Sequence, residues 1–313
     1  MPRIIHEAPA DAWELADLVA DLDAGDFNPK DEDAFAAWGP SLKRLANNRN
    51  FLADVMLAEL KQRCNEQVRG NQYGAPVIML HRAENYFIRA NLWPAEADSV
   101  VRQSGVDPFF YHVPHDHNFS FLTVGYLGPG YWSDYYEYDY GKVTGYLGEE
   151  VDLRFIERSR LELGKVMLYR AHKDVHLQLP ADALSVSLNI VETSPCTAFR
   201  DQYRFDIGKR SVAGIMTRTS LEPLLLLAAH HAGGNGTDLL EDFAARHPSD
   251  RVRWAALKAL AGTAHDLDGR IAVFERGTND PSRLVTEMAR ATMEKLEQSR
   301  SWVEAPLQLA TAA

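Results

Sequence analysis

Two histidines in the run Tyr111-His112-Val113-Pro114-His115-Asp116-His117-Asn118-Phe119-Ser120-Phe121 are the residues best suited to chemistry in this chain. After Pro114 the run alternates as a β-strand does, and in a strand residues two apart share a face. His115, His117, Phe119 and Phe121 therefore fall on one side, and Asp116, Asn118 and Ser120 on the other. Two imidazoles over an aromatic floor make half of a metal site, because neutral imidazole nitrogens suit Fe, Zn, Cu and Ni. A His-x-His pair alone also occurs at the mouth of an ordinary sheet, so the rest of a site has to come from elsewhere.

A second stretch supplies candidates: Leu163-Gly164-Lys165-Val166-Met167-Leu168-Tyr169-Arg170-Ala171-His172-Lys173-Asp174-Val175-His176. His172 and His176 cannot both serve if the backbone is extended, since four residues of strand span about 13 Å and a coordination shell only about 2 Å. Arg82, Arg89 and Arg170 are each able to hold a substrate carboxylate by two hydrogen bonds. Arg89, between Ile88 and Ala90 in an apolar run, is the most attractive. The tyrosine-rich run from Tyr131 to Tyr140, Tyr136 included, is suited to lining a pocket, as tyrosine gives rigid amphipathic contact. His112 has the wrong parity for the His115 face, and His230-His231 the wrong spacing for a helical pair. Ser187 has no partnered base, and no Gly-rich phosphate loop is present.

The elements that must position these residues divide the chain into three. Residues 1–75 read as an N-terminal helical region. Asp31-Glu32-Asp33 opens one helix, with acids at its positive end. Phe51–Leu60 forms another, with Asn50 as N-cap and Leu52, Val55, Met56 and Leu60 on one stripe. Residues 76–196 read as short strands broken by Gly, Pro and Asn, the pattern of a sandwich or barrel. Past Thr193 the strands stop and residues 197–313 read as helices. Apolar stripes at Asp250–Leu260 and Pro281–Arg290 have the spacing of HEAT-like helix pairs.

The His-x-His pair, followed by a strand that starts at Gly164 and a later histidine, resembles the two halves of a cupin site over residues 76–196. Within the cupins, His115-Asp116-His117, Ser120-Phe121-Leu122 and Val186-Ser187-Leu188-Asn189 are most similar to thiol dioxygenases of the cysteine dioxygenase type. The resemblance implies an α+β fold, a cupin-type β-barrel flanked by helical regions, with Fe(II) held by three histidines and O₂ as co-substrate. It makes His115 and His117 two of the ligands. Cupin spacing from Gly164 prefers His176 over His172 as the third. Phe121 and Leu122 stand where many cupins carry a ligand glutamate, which leaves Glu137 on the next strand as a possible fourth. The family's Ser-x-His-x-Tyr relay is reduced to Ser187, Asn189 and Val191, so free cysteine is not the expected substrate.

A net charge of −11 over 313 residues argues against nucleic acid, which needs a clustered positive surface. No apolar run approaches a membrane span, and the N-terminus lacks a secretory apolar segment. Cys64 and Cys196 are too few for a disulfide framework, so the cytoplasm is the expected compartment. The expected function is an Fe(II)-dependent cupin oxygenase acting on a small amino-acid-like molecule or a peptide side chain, with Zn, Ni, Cu and Mn as other candidate metals. An acidic, aromatic strand beside the metal points to cationic or amphipathic substrates. The alternative is a non-catalytic metal cupin, a sensor or scaffold whose helical region docks a protein partner. A homodimer is compatible with either.

Overall fold

The computed structural model describes all residues except 8, 26–27, 72, 75, 218, 232 and 304–313, and leaves out the side chains of 66, 196 and 198. Two compact units emerge, Met1–Val143 with Glu150–Thr217, and Thr144–Glu149 with Arg218–Ala313.

Among the described residues the first unit holds eleven strands: β1 (Arg3–Ile5), β2 (Val77–Arg82), β3 (Tyr86–Trp93), β4 (Phe121–Leu127), β5 (Trp132–Glu137), β6 (Arg154–Arg160), β7 (Val166–Tyr169), β8 (Asp174–Gln178), β9 (Ser185–Glu192), β10 (Tyr203–Asp206) and β11 (Ser211–Ile215). They form an antiparallel six-stranded sheet in the order β1-β7-β4-β9-β3-β2, a three-stranded sheet β6-β5-β8 and the pair β10-β11. Inward side chains of the two larger sheets share one cluster, including Phe87, Phe121, Met167, Tyr169 and Val191 from one sheet and Tyr135 from the other. The facing antiparallel sheets make the expected β-barrel, with helices before and after it in the chain.

Parity sorts the six-stranded sheet. Across the strands Ile88, Ile190, Leu122 and Leu168 stand in register, as do Ala90, Leu188, Val124 and Val166. That face packs on Leu18, Leu22, Phe35, Leu42 and Leu45 of the N-terminal helices. Each such buried aliphatic is worth about 1.5–3 kcal/mol relative to exposure. The helices of the first 75 residues are therefore one side of the barrel's own core, rather than a separate region.

Local signals held in part. Asp31 caps its helix, its carboxylate accepting from the N–H groups of Asp33 and Ala34. In helix Phe51–Lys61 Asn50 holds the N-cap position but its side chain makes no capping bond; the Asn48 Oδ1 accepts instead from the N–H groups of Asn50 and Phe51. Leu60, expected on the buried stripe, is 65% exposed. The strands do not stop at Thr193: β10 and β11 carry the first unit on to Thr217.

The second unit contains helices Leu221–His231, Gly233–Arg246, Asp250–Gly262, Leu267–Gly277 and Arg283–Val303. Its core centres on the third helix, where Trp254, Ala256, Leu257, Ala259 and Leu260 are buried. Arg253 makes a two-pronged ion pair with Asp280 at 2.8 and 2.9 Å. Within Thr144–Glu149 the Glu149 carboxylate accepts from the N–H groups of Thr144 and Gly145, and the Tyr146 hydroxyl accepts from Arg283. Among the described residues no helix is long and apolar enough to cross a membrane.

Candidate metal centre

The His-x-His run is held at full stretch between two strands. His115 exchanges backbone hydrogen bonds with His176 of β8, N–H to carbonyl at 3.1 and 3.0 Å. On the other side the Asp116 N–H donates to the Tyr203 carbonyl of β10. Asp116 points away from the histidines and is fully buried. Its carboxylate accepts from the Tyr138 hydroxyl and the Tyr203 N–H, both at 2.6 Å. Burial lifts this carboxyl to about 7, against the pull of those two donors. Asp116 thus pins the run so that its neighbours on either side face inward. Regular strand pairing of β4 begins only at Phe121, yet the predicted parity is realised: His117 packs against Phe119 and Phe121 at 5.0 and 4.9 Å between ring centres.

His115, His117 and His176 converge, with one ring nitrogen of each lying within 4.8 Å of the others. The Nε2 of His176 is 3.2 Å from that of His117 and 3.2 Å from that of His115. The donor set fits a divalent metal. At metal–nitrogen distances of about 2.0–2.1 Å, neighbouring imidazole nitrogens sit about 3.0–3.4 Å apart. Protonated rings could not crowd in this way. Burial holds His115 down to about 4, and burial together with the neighbouring rings holds His117 and His176 well below the ordinary histidine range. The His115 Nδ1–H donates to the Val113 carbonyl at 2.7 Å, which fixes the tautomer that leaves its Nε2 lone pair facing inward.

Of the two later histidines, His176 joins the cluster and His172 does not. His172 has a left-handed backbone (φ 58°), donates its N–H to the His117 carbonyl and lays its ring 4.0 Å from that of Tyr140. It supports the His117 backbone from outside.

Glu137, expected as a possible fourth ligand, is not part of the cluster. Its carboxylate takes Arg170, Arg154 and the Met1 amino group at 2.6–2.9 Å. Against the effect of burial, those cations hold it near 2. Strand register explains the miss, for Glu137 opposes Asp174 two pairs beyond Tyr135 and His176, at the end of the strand. Tyr136 is likewise corrected: it faces outward, edge-on to Phe155. The residues missed are its neighbour Tyr135 and Tyr169, both fully buried, whose hydroxyls are 2.8 Å apart. Tyr169 stacks on Phe121 and stands beside His176. Alternation along β5 was the signal that separates Tyr135 from Tyr136.

Arg89 lies inside the barrel, 8% exposed, its guanidinium over the rings of Tyr73 and Phe87. Its Nε has no partner, and among the described residues no carboxylate pairs with it. Its charge is one of the influences that depress His117. Arg82 is exposed, and Arg170 is consumed by Asp174 and Glu137. His112, His230 and His231 are exposed. Ser187 accepts from the Trp93 Nε1–H at 3.0 Å, while Asn189 and Val191 face inward with it.

No family model matches this chain, and no curated protein matches it. Solved structures do. Salicylate 1,2-dioxygenase from Pseudoaminobacter salicylatoxidans is 9% identical with a TM-score of 0.28, over 48% of this chain and 37% of that one. Acireductone dioxygenase from Bacillus anthracis is 14% identical with a TM-score of 0.24, over 45% and 64%. A cupin domain from Bordetella pertussis is 12% identical with a TM-score of 0.23, over 40% and 98%. The chain thus spans only part of the two dioxygenases, and at these scores none of the three transfers an activity to it.

Proposed function

We propose that this chain is a mononuclear non-heme metal oxygenase of the cupin kind, with Fe(II) on His115, His117 and His176. The observation that supports it is the convergence of three buried, neutral imidazole nitrogens, His176 standing at metal-ligand spacing from each of the other two and all three lying within 4.8 Å. Iron(II) held by three neutral donors keeps its full charge and, when bound, supplies the redox chemistry with O₂. The chain supplies the rest. Asp116 and Val113 hold the two ligands of the run in position. Phe119, Phe121 and Tyr169 keep bulk water from the centre. Arg89 anchors an anionic group of the substrate, because a buried guanidinium with no carboxylate beside it among the described residues favours a carboxylate over any neutral group. The cationic substrates expected from the acidic strand do not fit this interior: Asp134 pairs outward with Arg158, and Glu137 is spent on cations at the edge.

The test is anaerobic loading with Fe(II), Zn, Ni, Cu or Mn, metal analysis of wild type and His117→Ala, and O₂ uptake with a panel of small carboxylates. Stoichiometric iron lost in the variant, with substrate-dependent O₂ uptake, is the expected result. Bound metal without uptake for any substrate would favour a metal-holding sensor or scaffold.

A further inference from the structure

The inner face of the barrel carries a polar layer that the metal does not use. Across the six-stranded sheet, Arg89, Asn189, Thr123 and Met167 stand in one register, and Asn91 and Ser187 in the next. On the facing sheet Ser133 opposes Gln178, one register from the Tyr135–His176 pair. All but Met167 are polar, and every one is at most 8% exposed. Six of their polar atoms are buried without a partner: Arg89 Nε, Asn91 Oδ1, Asn189 Oδ1, Thr123 Oγ1, Ser133 Oγ and Gln178 Nε2. A buried polar atom left unpaired costs free energy, and native interiors pair more than nine in ten. Six together, on two walls beside the histidines, mark a place made for hydrogen-bonding matter.

The types of those groups say what kind. Arg89 is the one charged member, and it is cationic. The others are hydroxyls and amides, which both donate and accept, as an alcohol does. No carboxylate in the layer receives an ammonium group, and Met167 is its one apolar member, at the edge of the cluster of Phe87, Phe121 and Val191.

We infer that the substrate is a small hydroxylated carboxylate, its acid group on Arg89 and its hydroxyls on Asn91, Thr123, Asn189, Ser133 and Gln178. This rests on the oxygenase reading for its chemistry but not for its binding, so the two can be tested apart. A site built to hydrogen-bond a hydroxyl discriminates strongly against the analogue lacking it, since its own polar atoms are then left unpaired.

The experiment is calorimetric titration of the metal-free protein with matched pairs, glycerate against propionate and gluconate against hexanoate, in wild type, Thr123→Val, Asn189→Leu and Arg89→Gln. The hydroxylated member of at least one pair should bind about tenfold tighter or better. Thr123→Val and Asn189→Leu, near-isosteric and apolar, should narrow that ratio toward one. Arg89→Gln should weaken both members alike. Equal binding within each pair, no binding by either hydroxy acid, or a ratio untouched by both layer variants would overturn the inference. Metal content is measured separately. Stoichiometric metal without discrimination leaves the oxygenase reading standing alone, and discrimination without metal leaves the binding site standing alone.

Discussion

The two faces of the six-stranded sheet are made by alternate residues of the same strands, yet they have opposite characters. Toward the N-terminal helices stand Ile88, Ala90, Leu122, Val124, Leu188 and Ile190, all at 0% exposure, with no polar side chain among them. One residue over, toward the barrel interior, stand Arg89, Asn91, Thr123 and Asn189, nearly as buried and with polar atoms unmatched. The outer face is satisfied by the chain itself; the inner face combines an aromatic and apolar cluster around Phe87, Phe121, Tyr169 and Val191 with this polar layer, which is not. Stability is concentrated on one parity and ligand chemistry on the other, which makes the two separable by mutation.

The largest effect should come from the outer face. Leu122→Ala removes a fully buried side chain from a core shared with the N-terminal helices, and such truncations cost about 2–5 kcal/mol. Urea unfolding should show that loss, while the fraction still folded should retain its metal. Metal lost in proportion to ligand variants, at unchanged stability, would erase the distinction between the faces.

Next come the ligands. His176→Ala and His117→Ala should each weaken metal binding beyond the roughly 10–100-fold that changes around a metal shell produce. His172→Ala should fall at or below the bottom of that smaller range, because its hydrogen bond to His117 is made by the backbone and survives the substitution. Equilibrium dialysis of the three variants decides the order, and a reversed ranking of His172 and His176 would move the third ligand.

How much of this was legible in the sequence follows the same division. The apolar parity of β3, β4 and β9 and the inward pairing of His115 with His117 are patterns of residue type, whereas the preference for His176 over His172 came only with the cupin resemblance. Polarity misleads where it faces inward. Ser133, Gln178 and Asn189 look like solvent-facing positions, and nothing local distinguishes an exposed hydroxyl from one aimed at a ligand. In β8 the alternation of Asp174, His176 and Gln178 with Val175 and Leu177 marks a strand but turns its polar residues inward, the reverse of the usual pattern. The tyrosine-rich run went astray differently, being read as one surface when its parity sends Tyr135 in and Tyr136 out.

The same reasoning gives Thr123→Val an unusual sign. An exchange of a buried hydroxyl for a methyl normally removes a hydrogen bond, but the Thr123 Oγ1 has none. Unfolding in the absence of ligand should show stability unchanged or raised by up to about 1–3 kcal/mol, the cost of an unmet buried group. A loss of that size would mean the hydroxyl is already satisfied, and the inner face would then be no different from the outer.

The smallest effect lies where the inner face meets solvent, and it contrasts two of the barrel's arginines. Arg89 has no carboxylate partner among the described residues, whereas Arg170 has Asp174 at 2.6 Å and Glu137 at 2.9 Å. Although burial works against it, the Glu137 carboxyl is held near 2 rather than its usual 4.5, through the Met1 amino group, Arg170 and Arg154. A carboxyl whose pKa is depressed on folding contributes stability above its unfolded value, and that contribution is lost as pH falls through the folded value. The Glu137 contribution is therefore complete above about 4.5 and disappears toward about 2. Its size should be at most about 1 kcal/mol, the range for ion pairs in contact with water. The difference in melting temperature between wild type and Glu137→Gln should accordingly shrink as pH is lowered across that window, and metal content at neutral pH should not change. Metal lost from Glu137→Gln would instead return this carboxylate to the coordination shell and draw the edge of the inner face into the site.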